Sequence, residues 1–195
     1  MVKPARNRKA PKPDLGSVFD LHVKCEFQDR DVEATLRTMT DEPYVHNVPV
    51  LRGGYGRAGV HDFYRRFFVG KMPADIRVVP ISRTIGHDCV VDELILCFTH
   101  DIVIEYMLPG IAPTGKYVEL PHVVVMKMEN GKVAHEHIYW DQACLLAQVG
   151  LIDPQKLPVT GREQAARLRE LAKPQAASAR PSRTKQSSSS RTKHL

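Results

Sequence analysis

Residues 117–140 read YVELPHVVVMKMENGKVAHEHIYW: two runs rich in β-branched and aromatic side chains, joined by Glu129-Asn130-Gly131. Asn-Gly between alternating apolar runs is the strongest short-range hairpin signal. The stretch therefore predicts two long antiparallel strands, 117–128 and 132–140. Upstream, the same period predicts strands over 76–85 and 89–107, separated by Gly86-His87-Asp88. Leu108-Pro109-Gly110 through Gly115 forms the connection into the hairpin. The span 89–107 is long enough to predict a bulge or bend near Thr99–Asp101.

Towards the N-terminus the period becomes helical. Ser17-Val18-Phe19-Asp20 has the capping-box form and predicts a first helix, with Val18, Leu21 and Cys25 on one side. Asp29 is the expected cap of a second helix, in which Val32, Leu36 and Met39 recur at helical spacing. Pro43 ends it, and Tyr44-Val45-His46-Asn47-Val48 predicts a short strand stopped by Pro49. Arg52-Gly53-Gly54-Tyr55-Gly56 is expected to be a loop, since glycine permits positive φ. Val60, Phe63, Tyr64, Phe67 and Phe68 then form one broad apolar stripe on a helix closed by Gly70 and Pro73. After the hairpin, Asp141 opens a helix through Gln148. The box Thr160-Gly161-Arg162-Glu163 opens a last one, ended by Pro174.

Helices followed by a run of antiparallel strands predict an α+β fold. Four long, bent strands with helices on one face curl into a cone. Between the concave sheet face and the helices lies room for a ligand pocket.

The length of 195 residues, 43% of them apolar, suits one domain, and no apolar run is long enough to span a membrane. The basic start has no apolar segment after it, so the expected location is cytoplasmic. Four cysteines without a C-x-x-C pair predict reduced thiols. The net charge of +6 belongs to the ends: residues 1–13 and 174–195 each carry five Lys/Arg and no acid. The interval 14–173 keeps 18 basic residues against all 22 acids, a net charge of about −4. This predicts a folded domain over 14–173 between two disordered basic tails. Nucleic acid is not an expected partner beyond weak contacts made by those tails.

Three stretches carry a resemblance. Gly110-Ile111-Ala112-Pro113-Thr114-Gly115-Lys116, Gly131-Lys132-Val133, and Asp141 followed by Gln148-Val149-Gly150 occur in the order and spacing of the SnoaL-like polyketide cyclases, over about residues 15–153. That family lies within the nuclear transport factor 2-like superfamily. The resemblance implies a cone-shaped α+β fold with an internal pocket and, as for many superfamily members, a homodimer. It implies that Asp141 matches the aspartate acting as general acid/base in the cyclases. Their reaction removes an acidic C–H proton beside a carbonyl, so that the enolate can attack a second carbonyl, and it needs neither metal nor organic cofactor. The chain departs from the pattern at His137, where many relatives carry an aromatic side chain. The Tyr-plus-Asp oxyanion pair of the ketosteroid isomerases is not identifiable.

Side chains alternate along 132–140, so His135, His137, Tyr139 and Asp141 share one face, with Glu136, Ile138 and Trp140 on the other. The resemblance places the first set in the pocket, with Asp141 as base and His137 as its partner. Asp141 also sits where an N-cap belongs, with the backbone N–H of Cys144 in reach. His135, Tyr139, Tyr44, His46, Tyr55, His122 and Glu105 are candidate binding residues. His-x-His could begin a metal site, but the third ligand would have to come from His122, Glu105 or His46 by fold alone, and no metal is expected. Two functions follow: a cofactor-independent enzyme moving protons on a carbonyl-containing small molecule, or a non-catalytic domain that binds a small ligand or serves as a dimeric scaffold.

Overall fold

The computed structural model describes residues 14–173; the basic stretches 1–13 and 174–195 lie outside them. Helix α1 (Leu15–Lys24) starts three residues before the expected box. Asp14 is its cap, accepting the N–H of Gly16, and the Ser17 hydroxyl supports that carboxylate from 2.6 Å instead of capping by itself. The helix runs on through one π-helical turn, Cys25–Asp29, and Arg30 breaks it in the left-handed region at φ 52°. Asp31, not Asp29, therefore caps α2 (Val32–Arg37), taking the Ala34 N–H at 2.9 Å.

Strand β1 (Met39–Asn47) is longer than expected and contains Pro43, which falls where its pairing register is interrupted. Residues 52–55, expected to be loop, form β2 (Arg52–Tyr55), antiparallel to β1. The reason is steric: a Cβ on Gly53 would sit 1.8 Å from the Val45 carbonyl oxygen, and one on Gly54 would sit 2.3 Å from that of Gly59. These two glycines allow close approach, and of the three glycines in 52–56 Gly56 alone has positive φ. Helix α3 (Gly56–Phe63) follows, with a second π-helical turn at Tyr64–Phe68. Its stripe is buried as expected, with Val60, Phe63 and Tyr64 all in the core.

Strands β3 (Arg77–Ile85), β4 (Cys89–Thr99), β5 (Tyr117–Glu129) and β6 (Lys132–Trp140) complete a curved six-stranded sheet in the order β2-β1-β6-β5-β4-β3. The β5–β6 turn has Asn130 and Gly131 both at positive φ, as a type I′ hairpin requires. Pairing is not wholly antiparallel, because β1 lies parallel to β6. No hairpin joins those two strands, so nothing local fixes their relative direction. Strand β4 ends at Thr99, at the expected bend, and residues 100–107, which were expected to continue it, form turns and irregular chain instead. There the Pro113–Gly115 loop folds onto His100, whose carbonyl oxygen accepts the N–H groups of Thr114 and Gly115.

The N-terminal helices cover one face of the sheet around Phe19, Leu36, Phe63, Tyr64, Leu96 and Met126. Each such side chain contributes about 1.5–3 kcal/mol on full burial. Helix α4 (Gln142–Gln148) follows β6 directly. Helix α5 (Glu163–Leu171) packs Ala165 and Leu168 against Ile95 and Cys97 on the other face. Among the described residues, no helix is long and apolar enough to cross a membrane.

Candidate active site

Between the sheet and α1, α3 and their π-helical turns lies a cavity of about 440 Å³, within the range of small-molecule pockets. Phe19, Val45, Phe63, Leu96, Met126 and Ile138 make much of its apolar wall. Five polar side chains with little exposure reach that wall: Glu26, Asn47, Tyr64, His122 and Glu136.

Register decides which face of β6 looks inward. Glu136 pairs with Val45 on β1 and Met126 on β5, Ile138 with Val124, and Trp140 with His122. The face carrying Glu136 therefore lines the cavity, and the face carrying His135, His137 and Tyr139 looks out. This reverses the expected orientation. A carboxylate buried alone is prohibitive, but one with a cation and a hydroxyl beside it is tolerable. Glu136 has both, from elements far away in the chain.

Its Oε1 accepts the Tyr64 hydroxyl at 2.9 Å and lies 2.9 Å from Nε2 of His22. Glu26, one turn along from His22, brings its own Oε1 to 3.2 Å from the same nitrogen. That oxygen is buried, with no well-aligned hydrogen bond beyond this contact. Behind them, Nδ1 of His22 meets the Thr38 oxygen at 2.5 Å. The Thr38 hydroxyl is spent on the Thr35 carbonyl, so its oxygen accepts Nδ1–H and the ring orientation is fixed.

The electrostatics follow from this packing. Burial opposes the His22 charge, but the carboxylates of Glu136 and then Glu26 outweigh it and lift the pKa to about 10. Burial raises the Glu26 carboxyl, against the pull of His22 and with the push of Glu136. Burial, then Glu136 and Glu26, holds the Tyr64 phenol well above its ordinary value. An imidazolium thus sits between two carboxyl groups, one of them with its neutral form favoured. On the opposite side, burial drops His122 to about 4, opposed only by its contact with the Leu120 carbonyl. That histidine is neutral at physiological pH.

Of the residues singled out in the sequence, only His122 lines this cavity. Tyr44, His46, Tyr55, His135 and His137 gather on the outer face of β2, β1 and β6. There the Tyr44 hydroxyl lies 3.0 Å from His137 Nε2, Tyr55 reaches His46 at 2.9 Å, and Tyr44 stacks on His135 with centroids 4.5 Å apart. Asp141 is the N-cap of α4: Oδ1 accepts from Ala143 and Cys144, and Oδ2 from Gln164. His137 and Asp141 are thus engaged separately, His137 with Tyr44 and Asp141 with α4 and Gln164. Tyr139 and Asp141 border a second, more open hollow of about 250 Å³, into which His122 and Trp140 also reach. Glu105, in the turn after β4, lines neither space.

The residues that do meet at the cavity, His22, Glu26, Tyr64 and Glu136, were not among the candidates. One signal was present: Phe19, His22, Val23, Glu26 and Phe27 fall at i, i+3, i+4, i+7 and i+8, a single helical face. Both π-helical turns carry one of the four, Glu26 in the first and Tyr64 in the second, as such turns often do at functional sites. Donor atoms of His22, Glu26 and Glu136 all lie within 4.8 Å of one another. The arrangement can donate and accept protons, and it can hold a cation.

The family model of the SnoaL-like polyketide cyclases matches residues 22–149. No curated protein matches the chain. Among solved structures, similarity extends to a SnoaL-like cyclase candidate from Jannaschia sp. CCS1 (18% identity, 75% of this chain and 99% of that one, TM-score 0.57). A protein of ketosteroid isomerase-like fold from Catenulispora acidiphila DSM 44928, in complex with trimethylamine, has 12% identity over 74% and 96% of the two chains and a TM-score of 0.53. TerC, co-crystallized with polyporic acid, has 17% identity over 69% and 97%, with a TM-score of 0.52. At these identities the likeness is one of fold.

Proposed function

We propose that this chain, which belongs to the SnoaL-like polyketide cyclase family, is an enzyme that moves protons by general acid/base catalysis on a carbonyl-containing small molecule, as a cyclase or isomerase does. The observation carrying this reading is that Glu26 and Glu136 converge on one side of His22 at the wall of an apolar cavity of about 440 Å³. Two carboxyl groups with different partners can divide the work of acid and base. Glu136, held by Tyr64 and His22, takes the acidic C–H proton beside the carbonyl. Glu26, whose neutral form burial favours, returns a proton to the enolate oxygen or carbon. Electrons move only within the substrate, so the chemistry asks for no cofactor.

The reading extends to assembly and location. Two copies pair through the outer face bearing Tyr44, Tyr55 and His135, where an exposed Tyr55 and half-buried Tyr44 and His135 stack without cover from α5; light scattering returning a monomer mass at micromolar concentration would rule this out. The four free cysteines agree with a cytoplasmic enzyme.

The test is proton exchange. Small aromatic and polycyclic ketones incubated with the protein in D₂O should gain deuterium at the carbon beside the carbonyl, followed by NMR. Glu136→Gln should abolish that gain while keeping the fold. Equal exchange by wild type and Glu136→Gln would remove the proposal and favour a domain that only binds its ligand.

A further inference from the structure

We infer that His22, Glu26 and Glu136 form a binding site for one divalent transition-metal ion on the cavity wall. Once an arriving ion displaces the protons held on His22 Nε2 and Glu26 to solvent, the three donors are one imidazole and two carboxylates, a set that suits zinc, cobalt or manganese. The separations from His22 Nε2 to the two carboxylate oxygens, 2.9 and 3.2 Å, match the edges of about 3.0–3.4 Å that bonds of about 2.1 Å make in octahedral or tetrahedral geometry. All three donor atoms lie within 4.8 Å of one another, so a single ion can reach each of them after small side-chain shifts.

Two further features point to a ligand. The Glu26 Oε1 atom is buried and faces this cluster, and apart from its 3.2 Å ion-pair contact with His22 Nε2 it has no well-aligned hydrogen bond, which leaves acceptor capacity free for a ligand. His22 is oriented as a metal-bound histidine is, with Nδ1 tied to the Thr38 oxygen and Nε2 turned to the other donors. Glu26 and Glu136 both border the cavity, so the remaining coordination positions open onto space that water or a small molecule can fill. An ion seated here takes the lone pairs that proton transfer would use. It therefore inhibits the reaction proposed above, although its capture does not depend on that reaction.

Full-length protein stripped with a chelator should bind one Co²⁺ per chain, with visible absorption bands of mixed nitrogen and oxygen coordination, and one Zn²⁺ by calorimetry. Glu26→Gln, which keeps the side-chain shape, should weaken binding at least tenfold while the circular dichroism spectrum stays that of wild type. The double variant His135→Ala/His137→Ala should bind as wild type does, since those imidazoles lie on the outer face. Absence of saturable binding up to millimolar metal would overturn the inference and leave a cluster held by protons only. So would binding that survives in Glu26→Gln and disappears in the outer-face variant. Proton exchange measured in chelator reports on the enzyme reading alone, so the two can fail separately.

Discussion

Glu136 on β6 and His22 on α1 approach to 2.9 Å between Oε1 and Nε2, with neither side chain appreciably exposed. The contact joins the sheet to the first helix across 114 positions of sequence, and it converts two groups that each resist burial into a tolerated pair. Such a pair is weak support for stability as a whole, but its disruption is severe, because the survivor is left buried and uncompensated.

Glu136→Ala should therefore destabilise the fold by about 3 kcal/mol or more, read as a shift of the urea midpoint. Glu136→Gln, which still accepts from Tyr64, should lose clearly less. Equal losses would mean that the charge on Glu136 matters little to His22.

Much of the architecture was legible in the sequence, and the site was not. The Asn130-Gly131 turn, the two strands it joins and the Val60–Phe68 stripe depend on local chemistry, and all are found. The parity of β6 was also legible: Glu136, Ile138 and Trp140 do share a face. Which face looks inward was not, because both carry titratable groups, and the imidazoles resemble a site more than a lone glutamate does. Glu136 is admitted to the interior only by His22 and Tyr64, and no local period reports a partner more than seventy residues away. Residues 52–55 misled for a related reason, since Gly53 and Gly54 serve close backbone approach and not turn dihedrals.

Gly53→Ala tests that point. Its Cβ would overlap the Val45 carbonyl oxygen of the neighbouring strand, and neither backbone can move away without breaking the β1–β2 pairing. A loss of roughly 2 kcal/mol or more is expected. Gly86→Ala is the control, with its Cβ 3.4 Å from the Cys89 carbonyl oxygen, and should change little.

Stability should pass through a maximum as pH varies. His22 is raised to about 10 in the folded protein from an ordinary 6.5, so the native state holds a proton that the unfolded chain releases. Its contribution is complete below about 6.5 and is lost as pH climbs through 10; the raised Glu26 carboxyl acts in the same direction from lower pH. His122 does the reverse. Lowered to about 4, it contributes above pH 6.5, and the contribution drains away as pH falls through 4. Urea midpoints measured in chelator between pH 4 and 10 should fall at both ends, and His122→Gln should flatten only the acid side. A wild-type profile that rises steadily to pH 10 would refute the assignment of His22.

Asp141 is the position where fold and family resemblance pull apart. The resemblance makes it an acid/base, whereas the structure gives its two oxygens to Ala143, Cys144 and Gln164 and sets it at an open hollow away from the main cavity. Asn caps a helix about as well as Asp, and Ala does not. Asp141→Asn should therefore match wild type in urea midpoint and in deuterium exchange. Asp141→Ala should lose about 1 kcal/mol for the missing cap yet exchange normally at temperatures where it remains folded. If Asp141→Asn keeps its stability but loses exchange as completely as Glu136→Gln does, the proton passes through Asp141 as well. His122, which reaches both hollows, would then be the residue to replace next, with His122→Gln expected to uncouple the two carboxylates.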